Sequence, residues 1–182
     1  MSHNALTSPG TLGYTRARPE PAIESAGIRS GEIIAWRAWR LCAVDKKLML
    51  KSMAMDCLWM PGATMTINSV LEQCGIEQDR WERVPPSTGA GIHAFKTLDQ
   101  AVSNYGGYHR TVYGTVALWG EVIEHTGGYR AEFARLNTID HIDGQAIHDL
   151  GLGEGAEPVL LEALRENYGV KDKSYKDFKI GT

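Results

Sequence analysis

The hydrophobic pattern divides the chain at residue 31. Over residues 1–30 the apolar positions follow no period, and Pro9, Gly10, Gly13, Pro19, Pro21 and Gly27 would break any helix. Such a stretch predicts an extended N-terminal arm rather than a packed element. From Gly31 onward, Ile33, Ile34, Trp36, Trp39 and Leu41 predict a strand. Trp36 and Trp39 differ in parity, so a regular strand turns them to opposite faces, one of them into the core. Asp45-Lys46-Lys47 predicts a turn. Residues 48–55 continue as a second strand or a short helix, and the period does not choose between them. Trp59 beside Pro61 and Trp81 beside Pro85 read as anchors of loop packing.

Residues 64–82 are compatible with helix, interrupted at Cys74-Gly75, and residues 85–91 read as a loop. The clearest unit follows. Residues 92–95 predict a short strand. Thr97-Leu98-Asp99-Gln100 predicts a capping box, in which the threonine hydroxyl takes the third helical amide and glutamine reaches back. That helix runs to about Asn104 and stops at Gly106-Gly107. Residues 111–123 predict a long strand and residues 129–136 its hairpin partner, turning at Glu124-His125-Thr126-Gly127-Gly128. Alternation puts Val116, Leu118, Gly120 and Val122 on one face, with Thr115, Ala117, Trp119, Glu121 and Ile123 on the other. Pro158 opens a last helix through Tyr168, and Gly169 is its C-cap. The expected architecture is α+β. A single domain over residues 31–170 carries a mainly antiparallel, strongly bent or barrel-like sheet with two or three helices. Extended arms flank it, residues 1–30 and a basic tail at residues 171–182.

Composition narrows the class. The chain has 182 residues, 43% hydrophobic and 23% charged, which suits one globular domain and is too short for two. No apolar run approaches the ~18 residues that span a bilayer, so no membrane is expected. The net charge is -3, so nucleic acid is not expected as a partner. Charge is uneven: residues 137–168 carry seven acids against Arg165 alone, whereas the arm and the tail are mildly basic. Cys42, Cys57 and Cys74 make an odd, widely spaced set without a C-x-x-C pair, which fits free thiols in a reducing cytoplasm. The first ten residues lack the basic and apolar regions of a secretion signal.

The string from Gly114 to Glu132 reads G-x-V-x-L-W-G-x-V-x-E-H-x-x-G-Y-R-A-E. It resembles the signature of an uncharacterised bacterial and phage protein family. Trp36-Arg37-Ala38-Trp39 is similar to that family's W-R-x-W segment, Gly91-Ile92-His93-Ala94 to its G-I-Y-A segment, and Tyr168-Gly169-Val170 to its closing Y-G-V. The resemblance covers roughly residues 31–170 and implies no known activity. Relatives often carry a C-x-C pair before G-I-Y-A, with a further cysteine and histidine upstream. Here the pair is replaced by Thr88 and Ala90, which leaves Cys74 without companion thiolates and no metal expected.

Three groups of residues carry candidate chemistry. Glu121, Glu124, His125, Tyr129, Arg130 and Glu132 crowd one hairpin. They read either as an acid/base pair with Arg130 clamping an anion, or as a hairpin cap in which Glu124 pairs with Arg130 across the strands. By fold-level analogy, His93 on a strand before a capped helix compares with a histidine of enzymes that transfer ADP-ribose or phosphate from nucleotides, which also need a partner aromatic or arginine and a catalytic glutamate, here Glu121 or Glu124. Asp140-His141-Ile142-Asp143-Gly144 is similar to a string of phage HNH nucleases, yet its surroundings are acidic where a nuclease needs cations. Its alternative is a solvated connection into a short helix.

No catalytic constellation is complete and no cofactor fingerprint appears. The leading expectation is therefore a non-catalytic binding or assembly protein, phage or mobile-element encoded and acting in the cytoplasm or the virion. Its partner would be another protein or a second copy, engaged through the N-terminal arm. The alternative is an enzyme or ligand-binding protein for a nucleotide-like anion, with His93, Glu121, Glu124, His125 and Arg130 around its site.

Overall fold

Strand β2 (Ile33–Val44) turns back into β3 (Lys47–Ser52) through Asp45 and Lys46, whose φ angles of 49° and 65° make a two-residue left-handed turn. A turn of that hand matches the strand twist, so Val44 faces Lys47 and the register holds to Trp39 opposite Ser52. The undecided stretch after the turn is thus a strand as far as Ser52, and residues 53–55 bend away from it. The computed structural model describes residues 28–29, 31–75, 85–86, 89–153 and 155–170. The expected arm, apart from residues 28–29, lies outside the described residues, as do the basic tail, Trp81 and Thr88.

The remaining elements follow in order. Two-residue strands β4 (Leu58–Trp59) and β5 (Met65–Thr66) lead into α1 (Ile67–Gln73), where Thr66 and Ser69 form a capping box. Next come β6 (Ile92–Phe95) and α2 (Leu98–Tyr105), with the Thr97–Gln100 capping box that the sequence predicts. The long hairpin is β7 (Thr111–His125) and β8 (Gly128–Ile142). Helices α3 (Gly144–Asp149) and α4 (Glu157–Tyr168) complete the described chain. The first strand, β1 (Ile28–Arg29), pairs with β7 opposite Ile123 and Val122. The end of the expected arm is therefore part of the sheet.

The class is α+β, with four helices among the described residues where the pattern suggested two or three; the short α3 accounts for the difference. Among the described residues eight strands form one antiparallel sheet. β2 pairs with β7, β7 with β8, β8 with β6, and β6 touches β2 again through the single pair Trp36–Phe95. The circuit closes at one point only, so the sheet is bent without becoming a continuous barrel.

Three irregularities in the β7–β8 ladder supply the bend, between Tyr113 and Gly114, Thr115 and Val116, and Trp119 and Val122. At the last, Gly120 takes φ +80°, and a Cβ there would meet Phe133 and the Glu132 carboxylate. β8 runs six residues beyond the Leu136 limit that its hydrophobic pattern suggests. The extension holds because its polar groups are satisfied in place: the Thr115 and Thr138 hydroxyls lie 2.7 Å apart, and Asn137 Nδ2 donates to Thr115 Oγ1 at 2.8 Å.

The core lies on the face predicted for Val116, Leu118 and Val122, joined by Trp39, Leu41, Leu50, Ile139 and Leu164. Trp39 is fully buried there, packed edge-on against Trp59 at 5.4 Å, so Trp59 belongs to the core and not to a loop. Trp36, of opposite parity, packs with Phe95, Leu98 and Tyr105 in a smaller cluster under α2. Helix α4 is tied to β3 and β4 by Tyr168, whose hydroxyl accepts from the Leu50 amide at 2.8 Å and donates to the Trp59 carbonyl at 2.6 Å. No helix among the described residues is long and apolar enough to cross a membrane.

Candidate functional site

The single point of contact between β2 and β6 leaves the two strands splayed beyond it. Continuing the ladder past Trp36–Phe95 would bring the β2 backbone to the His93 carbonyl. Instead the Arg37 side chain reaches across, and its Nη1 donates to the His93 carbonyl. A side chain standing where backbone pairing stops holds the strands apart and opens a cavity of about 670 Å³. Its walls are Arg37 and Ala38 from β2, residues 52–55 at the end of β3 and just beyond it, Trp59, and residues 91–95 of β6 and its approach. Gln100, Asn104 and Tyr105 of α2 and residues from His125 to Arg130 at the β7–β8 turn close it.

Arg37 shares parity with Ala35, Trp39 and Leu41, so β2 aims it at the core face. Its guanidinium lies 4.8 Å over the Trp59 ring, and Nη2 donates to Ser52 Oγ at 3.2 Å. Nε is buried without a hydrogen-bond partner. The residue is half-buried, with its remaining exposure toward the cavity that it lines. Burial pulls its pKa down to about 10, with Tyr105 and Cys57 opposing, so it stays cationic at neutral pH. Among the described residues no carboxylate pairs with it.

Ser52 is saturated. Its Oγ lies 3.2 Å from Arg37 Nη2, 3.0 Å from Trp59 Nε1 and 3.1 Å from Cys57 Sγ. The two nitrogens and the Cys57 thiol all donate to this oxygen, so its lone pairs are fully engaged. A hydroxyl so engaged is a poor nucleophile and a good brace for Arg37.

The second arginine enters from β8. Arg130 faces His93 across β6 and Ile123 across β7, is buried, and donates from Nη1 to the Pro86 carbonyl at 3.4 Å. Its alkyl stem passes over Gly91, where a Cβ would overlap it. Gly128 allows the same intimacy on the other side, because a Cβ there would strike the Ala94 carbonyl of β6.

Of the residues that the sequence marks, His93, His125, Tyr129 and Arg130 line the cavity. Glu124 and Glu121 are not among its described lining residues. Glu124 forms an ion pair with Lys96 at 2.8 Å, and the Glu121 amide in the bulge donates to Glu132 Oε2 at 3.3 Å. Arg37, Ser52, Trp59, Gln100, Asn104 and Tyr105 complete the site and escaped the sequence reading. One signal marks Arg37: an arginine in phase with Ala35, Trp39 and Leu41 is a charge directed at an apolar face, which is rare without a purpose.

The Asp140-to-Gly144 string is taken up structurally. His141 stacks on Tyr113 at 6.1 Å and bonds through Nδ1 to Glu157 at 2.6 Å. Asp140 accepts from Thr138, and Asp143 caps α3 through the Gln145 amide at 2.9 Å. The solvated connection expected there is the end of β8, and the short helix is present. Among the described residues no three His, Cys, Asp or Glu side chains are placed to hold a metal ion, and the three cysteines are free. A larger depression, about 840 Å³, runs along α4, but its described lining belongs to that one helix and it gathers no second element.

Family models, curated protein sequences and solved structures contain no match to this chain.

Proposed function

We propose that this protein binds a small organic anion in the cavity between β2, β6 and the β7–β8 turn. One observation carries the reading: among the described residues Arg37 is drawn into protein with no carboxylate partner and with Nε unpaired, beside a cavity whose described lining holds Arg130, His93 and His125 and no acidic side chain. Withdrawing a cation from water costs several kcal/mol unless something compensates it. A bound anion supplies that compensation, and the splayed strands provide room for it. The saturated Ser52 and the lack of a described carboxylate in the lining favour binding over catalysis. Assembly through the arm, the first expectation from sequence, rests on residues outside the described structure except for Ile28 and Arg29, and β7 of the same chain pairs with these two.

The test is calorimetric titration of the purified protein with a panel of organic phosphates and carboxylates, repeated with Arg37→Met. Saturable binding to at least one of them, weakened tenfold or more by the substitution, supports the reading. Absence of saturable binding across the panel, or equal binding by the variant, overturns it.

A further inference from the structure

Resting on that anion-binding reading, we infer that the ligand is a mononucleotide, with its phosphate at the Arg37–Arg130 side and its base against α2. The argument comes from the α2 wall. Gln100 Oε1 accepts from the Thr97 amide at 3.2 Å, which fixes the carboxamide orientation and leaves Nε2 as the outward group. Asn104 Nδ2 donates to the Gln100 carbonyl at 2.8 Å, which fixes that amide in the opposite sense and leaves Oδ1 outward. Neither Gln100 Nε2 nor Asn104 Oδ1 has a hydrogen bond within the described chain. Both residues line the cavity, and spacing of four places them on one face of the helix.

One donor and one acceptor side by side are what the edge of a nucleobase complements. Tyr105 and Phe95, packed edge to face at 5.8 Å, add flat apolar surface in the same wall, which a base can cover and a bare sugar phosphate cannot. The cavity, about 670 Å³, is also far larger than a phosphate ion needs and falls within the range of sites for whole cofactors and metabolites.

The experiment titrates the full chain with inorganic phosphate, ribose 5-phosphate, adenosine and the four common nucleoside 5′-monophosphates. The expected result is that at least one nucleotide binds ten times or more tighter than ribose 5-phosphate. Asn104→Ala should remove that advantage and leave the ribose 5-phosphate affinity unchanged. Asn104 is exposed and alanine favours helix, so the variant should fold, and a thermal melt verifies it. If ribose 5-phosphate binds as well as all four nucleotides, or Asn104→Ala keeps the preference, the nucleotide inference falls and the anion-binding reading stands. If only anions without a phosphate bind, the outcome is the same. If no anion binds, both fall.

Discussion

Gly91 vacates the space that Arg130 fills: a Cβ on residue 91 would overlap Cγ of Arg130 and lie 2.9 Å from its Cδ. The glycine also holds φ at +146°, a region that side chains disfavour. Gly91→Ala therefore strains the backbone and expels Arg130 from its groove together. The expected cost is about 1–3 kcal/mol of stability, read by urea denaturation. Anion affinity should fall as well. A variant with wild-type stability and affinity would show that Arg130 has another route into the cavity.

Ser52→Ala removes the acceptor shared by Arg37 Nη2 and Trp59 Nε1 in a buried position. Leaving such donors unmet costs roughly 1–3 kcal/mol. The loss should appear in denaturant melts, along with weaker ligand binding because Arg37 loses its brace. Retention of full affinity would make Ser52 a purely structural residue.

Tyr168 provides a pH test. Burial raises its pKa to about 12, partly opposed by the hydrogen bond from the Leu50 amide. In the unfolded chain a tyrosine ionises near ~10. Between these values the folded state holds a proton that the unfolded state has released, so stability contributed by this group is complete below pH ~10 and is lost as pH rises toward about 12. Tyr168→Phe should lower stability at neutral pH and flatten the fall above pH ~10. Chemical denaturation at a series of alkaline pH values measures both, and an unchanged alkaline slope would contradict the account.

His141 is half-exposed and holds Glu157, which also receives the Ile142 amide at 2.9 Å. His141→Ala should fold normally and lose no more than about 1 kcal/mol. The wild type should show no cleavage of plasmid or single-stranded DNA with magnesium, manganese or zinc. Cleavage that this substitution abolishes would return the Asp140-to-Gly144 string to candidacy as a nuclease site.

The parts of the fold legible in the sequence are those set by local chemistry. The Thr97–Gln100 capping box, the turn at Asp45, the left-handed Gly169 at the end of α4 and the opposite faces of Trp36 and Trp39 each follow from a few neighbouring residues. The strands β4 and β5 have two residues each and exist only through pairing with β3 and β8, so no local pattern announces them. The last six residues of β8 read as polar because bulges, which local alternation does not reveal, let Asn137 and Asp140 depart from the two-residue period. At the site, the density of polar groups marks the hairpin, and His125 and Arg130 of that hairpin line a cavity. The other wall comes from residues 37, 52 and 59, far away in sequence, and Gln100 shows only its capping role until the fold turns its second face to the cavity.

An anion bound at Arg37 would meet its unpaired Nε–H, and that proton reports on the encounter directly by NMR. The peak is assigned by its loss in Arg37→Lys. Arg165 supplies an internal control, because its Nε already donates to the Ile139 carbonyl at 2.8 Å on the far helix. Titration with a phosphate monoester should shift the Arg37 Nε–H signal saturably and leave that of Arg165 in place. An Arg37 signal that never moves, or one that moves only in step with Arg165, would contradict the account.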